Sequence, residues 1–223
     1  MSNVVFCDGI VGYVTCGVDN SLNVYQDLTL GVWIKSLPMK PTGANYVPIL
    51  ARGVGDGYEY GIYYNPANGI PYLQFTKYGI ANYISSVVMP RGRPIYLALT
   101  FNFTTGNMRF YLDGNLAQTI VAAGALISAL GRLQYIMSRN TASPDNFSVG
   151  LLYGVHIYNR ELSSDEISYN WMHPNNPKRR GLVLNLTQDS IYGPQWNDLS
   201  GNANNGTYVG GAVPVTANRL AGR

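Results

Sequence analysis

Charge is scarce in this chain. Only 12% of its 223 residues are Asp, Glu, Lys or Arg, about half the usual share, and the net charge is +3. A nucleic-acid partner needs a broad basic patch, and the one basic run is Lys178-Arg179-Arg180, which reads as a solvated linker. No nucleic-acid contact is expected. Low charge here does not mean disorder, because 46% of the residues are hydrophobic. No stretch offers 18 uninterrupted apolar residues, so no membrane-spanning helix and no membrane insertion are expected. The opening Met1 to Cys7 has neither a basic nor an apolar leader region and reads as a strand rather than a signal peptide. Cysteine and histidine number two each, which leaves no zinc spacing and no metal site to name. Cys7 and Cys16 flank an apparent hairpin. They could face each other and form a disulfide, or stay two buried free thiols.

What is plentiful is glycine (25), tyrosine (18) and asparagine, in short alternating runs broken by turn residues. Ile95, Leu97 and Leu99 alternate with Tyr96, Ala98 and Thr100. Met108, Phe110 and Leu112 alternate with Arg109, Tyr111 and Asp113. Such period-two patterns mark half-buried strands. Phe147, Val149, Leu151, Tyr153, Val155 and Ile157 suggest one face held for eleven residues. Asp113-Gly114 between two runs predicts a type I′ hairpin turn, which needs positive φ at both positions. A single helix is expected, after the strand Gly154 to Tyr158. Ser163 and Glu166 are spaced as a capping box, and Ile167 and Trp171 lie on one helical face. The predicted architecture is all-β: two packed antiparallel sheets with one short helix.

The stretch GVHIYNRELSSDEISYNW, Gly154 to Trp171, resembles the last strand and terminal helix of the laminin-G-like, concanavalin A-like jelly-roll domains. Other motifs follow in family order. Phe6-Cys7-Asp8-Gly9 with Gly12-Tyr13-Val14 is similar to the opening hairpin. Leu28 to Lys35 with Trp33 resembles the next core strand, Ile49 to Gly53 and Tyr60 to Tyr63 the following pair, and Met108 to Gly114 a later hairpin. The resemblance implies a concanavalin A-like jelly-roll β-sandwich with its core over residues 4–171. Leu182-Val183-Leu184 and Asp198 to Thr207 resemble a segment that usually precedes the opening hairpin, yet here it follows the helix. About 40 residues cannot bury a core alone. We therefore expect one domain over 1–223, with a linker at 172–180 and a C-terminal segment, 181–223, docked on the sandwich or supplying permuted edge strands.

The resemblance extends to laminarinase-type glycosidases, which need paired carboxylates in an E-x-D-x-x-E pattern. This chain has no such pattern and no G-x-S-x-G elbow, so no catalytic residues are expected. Eight tyrosines fall between Tyr46 and Tyr83. Tyr58, Tyr60 and Tyr64 share a predicted strand face, with Tyr78, Asn82 and Tyr83 placed near them. These rings could stack on sugars, or pack into the sandwich or a protein interface. The resemblance would fit calcium, and Asp19, Asp56 or Asp198 could supply oxygen, but no acid cluster supports a site or any other cofactor. Of four N-x-Ser/Thr sequons, Asn102 and Asn205 sit in turn-like contexts and are the expected glycan acceptors, whereas Asn146 and Asn185 border strands.

Two functional expectations follow. One is a non-catalytic virion surface component (spike, turret or tail-tip), homo-oligomeric with protein partners in a larger assembly and contacting a host-surface glycan. The segment Asn170 to Pro177 and the permuted tail resemble those of proteins of archaea and their viruses. The alternative is a monomeric, extracellular or cell-surface carbohydrate-binding lectin.

Overall fold

The computed structural model describes residues 2–36, 47–54, 57–65, 72–77, 81–121, 132–138, 147–218 and 220. The described strands are β1 (Ser2–Asp8), β2 (Tyr13–Cys16), β3 (Leu28–Ser36), β4 (Val47–Val54), β5 (Gly57–Asn65), β6 (Tyr72–Lys77), β7 (Ala81–Val88), β8 (Ile95–Phe101), β9 (Asn107–Leu112), β10 (Asn115–Val121), β11 (Gln134–Ile136) and β12 (Val149–Tyr158). The helix α1 (Ser164–Met172) follows, and then β13 (Leu182–Thr187), β14 (Ile191–Tyr192), β15 (Gln195–Trp196), β16 (Gly206–Val209) and β17 (Val213–Ala217). They form two antiparallel sheets. The first runs β10-β9-β8-β3-β12-β1-β17, with β13 also paired to β12. The second runs β14-β15-β16-β2-β11-β4-β5-β6-β7.

The alternating runs fold as their period requires. Leu30, Val32 and Ile34 of β3, Leu97 and Leu99 of β8 and Phe110 of β9 point between the sheets. There they meet Leu50, Ile62 and Ile136 of the second sheet in one apolar core. The opposite face of the first sheet is also dry. Trp33, Tyr96, Tyr111 and Tyr158 form a second layer that Leu162, just before α1, and Ile167 of α1 cover. Trp33, 3% exposed, is therefore buried under the helix side of the sheet, with its ring 5.3 Å from that of Tyr96.

Local signals set the helix and the hairpin. Ser163 Oγ accepts from the Glu166 N–H and the Glu166 carboxylate accepts from the Ser163 N–H, which satisfies two groups at the helix start. Asp113 (φ 49°) and Gly114 (φ 81°) make the β9–β10 turn, and the missing Cβ of Gly114 leaves room for Trp171.

Three expectations are corrected. β1 and β2 are not a hairpin: they belong to opposite sheets. The crossing turn is built around Asp8, whose Oδ1 accepts the N–H groups of Ile10, Val11 and Gly12 at 2.9, 3.0 and 2.7 Å. Cys7 and Cys16 consequently sit on facing sheets. Both are buried free thiols, not a disulfide across a strand pair. The single face expected along β12 is also broken. Its register against β3 shifts between Leu152 and Gly154, so Leu152, Val155 and Ile157 enter the inter-sheet core while Leu151 and Tyr153 join the other layer. A bulge inserts one residue and reverses the alternation beyond it.

The bulge also divides one edge of β12. β1 pairs with residues Leu152 to Val149, and β13 pairs with Gly154 to Tyr158 on the other side of the shift. Past β13 the chain crosses to the second sheet, where β16 pairs with β2, and returns so that β17 pairs with β1. Its tightest point is Asp198. The carboxylate accepts from the N–H groups of Asn185, Ser200 and Asn204 and from Ser200 Oγ, at 2.7–2.9 Å. Trp196 is fully buried nearby, its indole N–H donating to the Thr187 carbonyl at 2.8 Å.

Candidate functional site

Where β8 ends, β9 begins and β12 runs into α1, the connecting loops meet at one end of the first sheet. They enclose a cleft of about 470 Å³ lined by Arg109, Tyr111, Glu161, Leu162, Ser163, Ser164 and Glu166. Arg109 and Tyr111 are successive residues on the helix side of β9. Glu161 comes from the β12–α1 loop, which is fixed from below by Thr29: its hydroxyl donates to the Arg160 carbonyl and accepts from the Leu162 N–H.

Each carboxylate in the cleft is already held. Glu161 is ion-paired with Arg109 through one oxygen and accepts from Asn102 Nδ2 at 2.7 Å through the other. Glu166 receives both terminal nitrogens of Arg160, at 2.8 and 2.6 Å. The Arg160 side chain is the main reason that the Glu166 carboxyl is held down at about 2, with the Ser163 N–H assisting and burial opposing. Two guanidinium groups thus balance two carboxylates. Tyr111 and Ser164 share a hydroxyl–hydroxyl bond at 3.2 Å. The result is a rigid, electrically balanced set of donors and acceptors suited to polar hydroxyls. The Glu166 carboxyl, held down by Arg160, stays ionised and suits hydrogen bonding better than proton donation.

An exposed aromatic ring lies on the turn that supplies Asn102. Phe103, next to Asn102, is 44% exposed. Its turn is locked: Asn102 Oδ1 accepts from the Thr105 N–H and hydroxyl, the Gly106 N–H donates to the Asn102 carbonyl, and the Phe103 N–H donates to Asp27. An exposed ring on a fixed turn can pack against an apolar face at little entropic cost.

Of the tyrosines that could stack on sugars or pack into the sandwich, two pack inward. Tyr60 and Tyr64 are buried in the inter-sheet core, and the Tyr60 hydroxyl donates to the Leu22 carbonyl at 3.1 Å. The period-two pattern put these rings on one face of β5 correctly, but that face looks inward. Tyr83 is half-buried against the same core. Tyr58 and Asn82 lie on β5 and β7 with side chains outside the described residues, as is Tyr78 altogether. Of the candidate calcium ligands, Asp19 caps a short 3-10 turn through the Ser21 N–H, Asp198 is filled by the four donors above, and Asp56 lies outside the described residues. The favoured sequons are also engaged. Asn102 Nδ2 donates to Glu161, and Asn205 Oδ1 accepts the Asp198 N–H. Asn185 is fully buried, and Asn146 lies outside the described residues. Arg109 and Glu161 escaped sequence reasoning because they are 52 residues apart and carry no motif.

Two antiparallel sheets, a capping helix and a loop-built polar cleft define a lectin-like β-sandwich. The chain belongs to the concanavalin A-like lectin/glucanase superfamily, whose laminin-G-type model matches residues 8–168. Among solved structures it is similar to a Bacteroides ovatus protein to which carbohydrate binding has been ascribed. The two are 17% identical with a TM-score of 0.69, over 97% of this chain and 60% of that one, so this chain spans little more than half of that relative's length. It is also similar to a heptameric pentraxin of Limulus polyphemus, with 12% identity and a TM-score of 0.57, over 76% of this chain and 82% of that one. No curated protein matches by sequence.

Proposed function

We propose that this chain is a non-catalytic carbohydrate-binding protein that takes a neutral glycan in the cleft between Arg109 and Glu161. The observation that carries this reading is Glu161, clamped between a guanidinium and a carboxamide, with Phe103 exposed on the turn that carries that carboxamide. Sugar hydroxyls need donors and acceptors close together, and a sugar's C–H face needs an apolar platform. Carbohydrate binding ascribed to the B. ovatus relative supports the same reading, and with it goes a place outside the cell or on its surface as part of the proposal. These findings favour the lectin-like expectation over the virion component, to which no comparison points.

The test is a glycan array followed by calorimetry on the best neutral hit. Glu161→Ala and Phe103→Ala should each weaken binding at least tenfold while the melting temperature changes little. Incubation with the same glycan should release no reducing ends. Binding that survives both substitutions would place the site elsewhere, and an array without hits would remove the reading.

A further inference from the structure

On the helix side of the first sheet lies a pair of polar side chains without a hydrogen-bond partner among the described residues. His156 of β12 and Asn185 of β13 are directly opposed across the ladder, so their side chains stand side by side on one face. Both are fully buried. Neither ring nitrogen of His156, and neither Oδ1 nor Nδ2 of Asn185, has a hydrogen-bond partner among the described residues. The Asn185 backbone, by contrast, is fully used: its N–H donates to Asp198 and its carbonyl accepts from Leu199.

Two glycines flank the imidazole. Gly31 of β3 faces His156 from the other neighbouring strand, and the Tyr96 hydroxyl lies over it, 2.6 Å from where a Cβ would sit. Gly154 is the other neighbour, its Cβ position 3.9 Å from His156 Nε2. Tyr96 occupies the space that Gly31 leaves, and the Leu186 carbonyl lies 3.1 Å from the Gly154 Cβ position. Buried polar groups in folded proteins find partners, and ordered water is the usual one where protein atoms do not reach. A neutral imidazole presents one donor and one acceptor, and a carboxamide presents both. Only a guest that also donates and accepts can serve all four atoms.

We infer that His156 and Asn185 form a buried hydration site in which ordered water bridges the imidazole and the carboxamide. The guest is water itself, enclosed between β3, β12, β13 and the elements covering that face. Burial, aided by Arg179, pushes the His156 pKa down to about 3, in keeping with a neutral ring hydrogen-bonded to a neutral guest.

The experiment is water-selective nuclear magnetic resonance on the whole protein. Cross-relaxation between long-lived water and the His156 ring protons should be present. Oxygen-17 relaxation dispersion should show at least one fewer long-lived water in His156→Phe and in Asn185→Leu. Absence of His156–water cross-relaxation, or an unchanged water count in both folded variants, would overturn the assignment. Should either variant fail to fold, the cross-relaxation measured on the unaltered protein decides alone.

Discussion

At the scale of single residues, His156 gives the clearest response to acid. Its folded-state pKa is near 3, against 6.5 for a free imidazole. Between those values the unfolded chain binds a proton that the folded chain does not. The stability His156 contributes is therefore complete above pH 6.5 and is lost as the pH falls toward 3. Glu166, lowered from 4.5 to about 2, acts in a different window: its contribution holds above 4.5 and fades as the pH falls toward 2. The interval from 6.5 to 4.5 thus isolates the histidine. His156→Phe should flatten melting temperature against pH in that interval, and a slope equal to the parent's would assign it to other groups. The two thiols respond to accessibility instead. Burial, with help from Asp8, pushes Cys7 up to about 12, and Cys16 is raised further by burial and Asp198. A thiolate-seeking disulfide reagent at pH 8 should find no reactive cysteine in the native protein and two after denaturation. Rapid labelling of the native chain would contradict the burial described here.

Among the elements, α1 and the C-terminal strands differ in how much depends on them. Ser163→Ala removes one half of the capping box, and caps of this kind contribute about 1 kcal/mol. The melting temperature should fall by a few degrees with the fold retained; a larger loss would mean that Ser163 carries more than the cap. The segment from β13 to β17 is another matter, because it pairs with β12, β1 and β2 in both sheets. Ending the chain after Pro177 would strip half of one edge of β12 and all of one edge of β1 and β2. It would also remove Trp196 from the core. Unpaired strand edges template association. Such a truncated chain should aggregate or fail to fold, as read by light scattering. A soluble monomer melting at the parent's temperature would make the segment an appendage.

For the molecule as a whole, the electrical balance of the cleft sets which glycans it should accept. With Glu161 and Glu166 each matched by an arginine, a neutral sugar gains hydrogen bonds without a Coulombic contribution. Affinity for a neutral glycan should then change less than twofold between 50 and 500 mM salt, roughly the range over which screening abolishes surface attraction. Acidic analogues of the same chain length should compete poorly. Strong salt dependence, or preference for an acidic sugar, would show that one of the arginines is free to meet ligand.

What could be read from the residue order was whatever depends on a few neighbours. The capping box, the positive φ pair at Asp113 and Gly114, the alternation of β8 and β9 and the laminin-G-like order of motifs all rest on contacts within one turn or one strand. Each is present in the fold. Where the chain had to choose between equivalent local arrangements, only the packed molecule decided. Alternation put Tyr60 and Tyr64 on a common face but could not say that this face looks between the sheets. Two strands joined by a tight turn can form a hairpin or cross between layers, and β1 and β2 cross because Asp8 secures the turn while each strand pairs elsewhere. One inserted residue at Tyr153 reverses the faces of β12 and lets β1 and β13 share an edge. Asn102, Arg109 and Glu161 come from separate turns and strands, and their meeting follows from the register of β8, β9 and β12, which long-range burial imposes and no local pattern records.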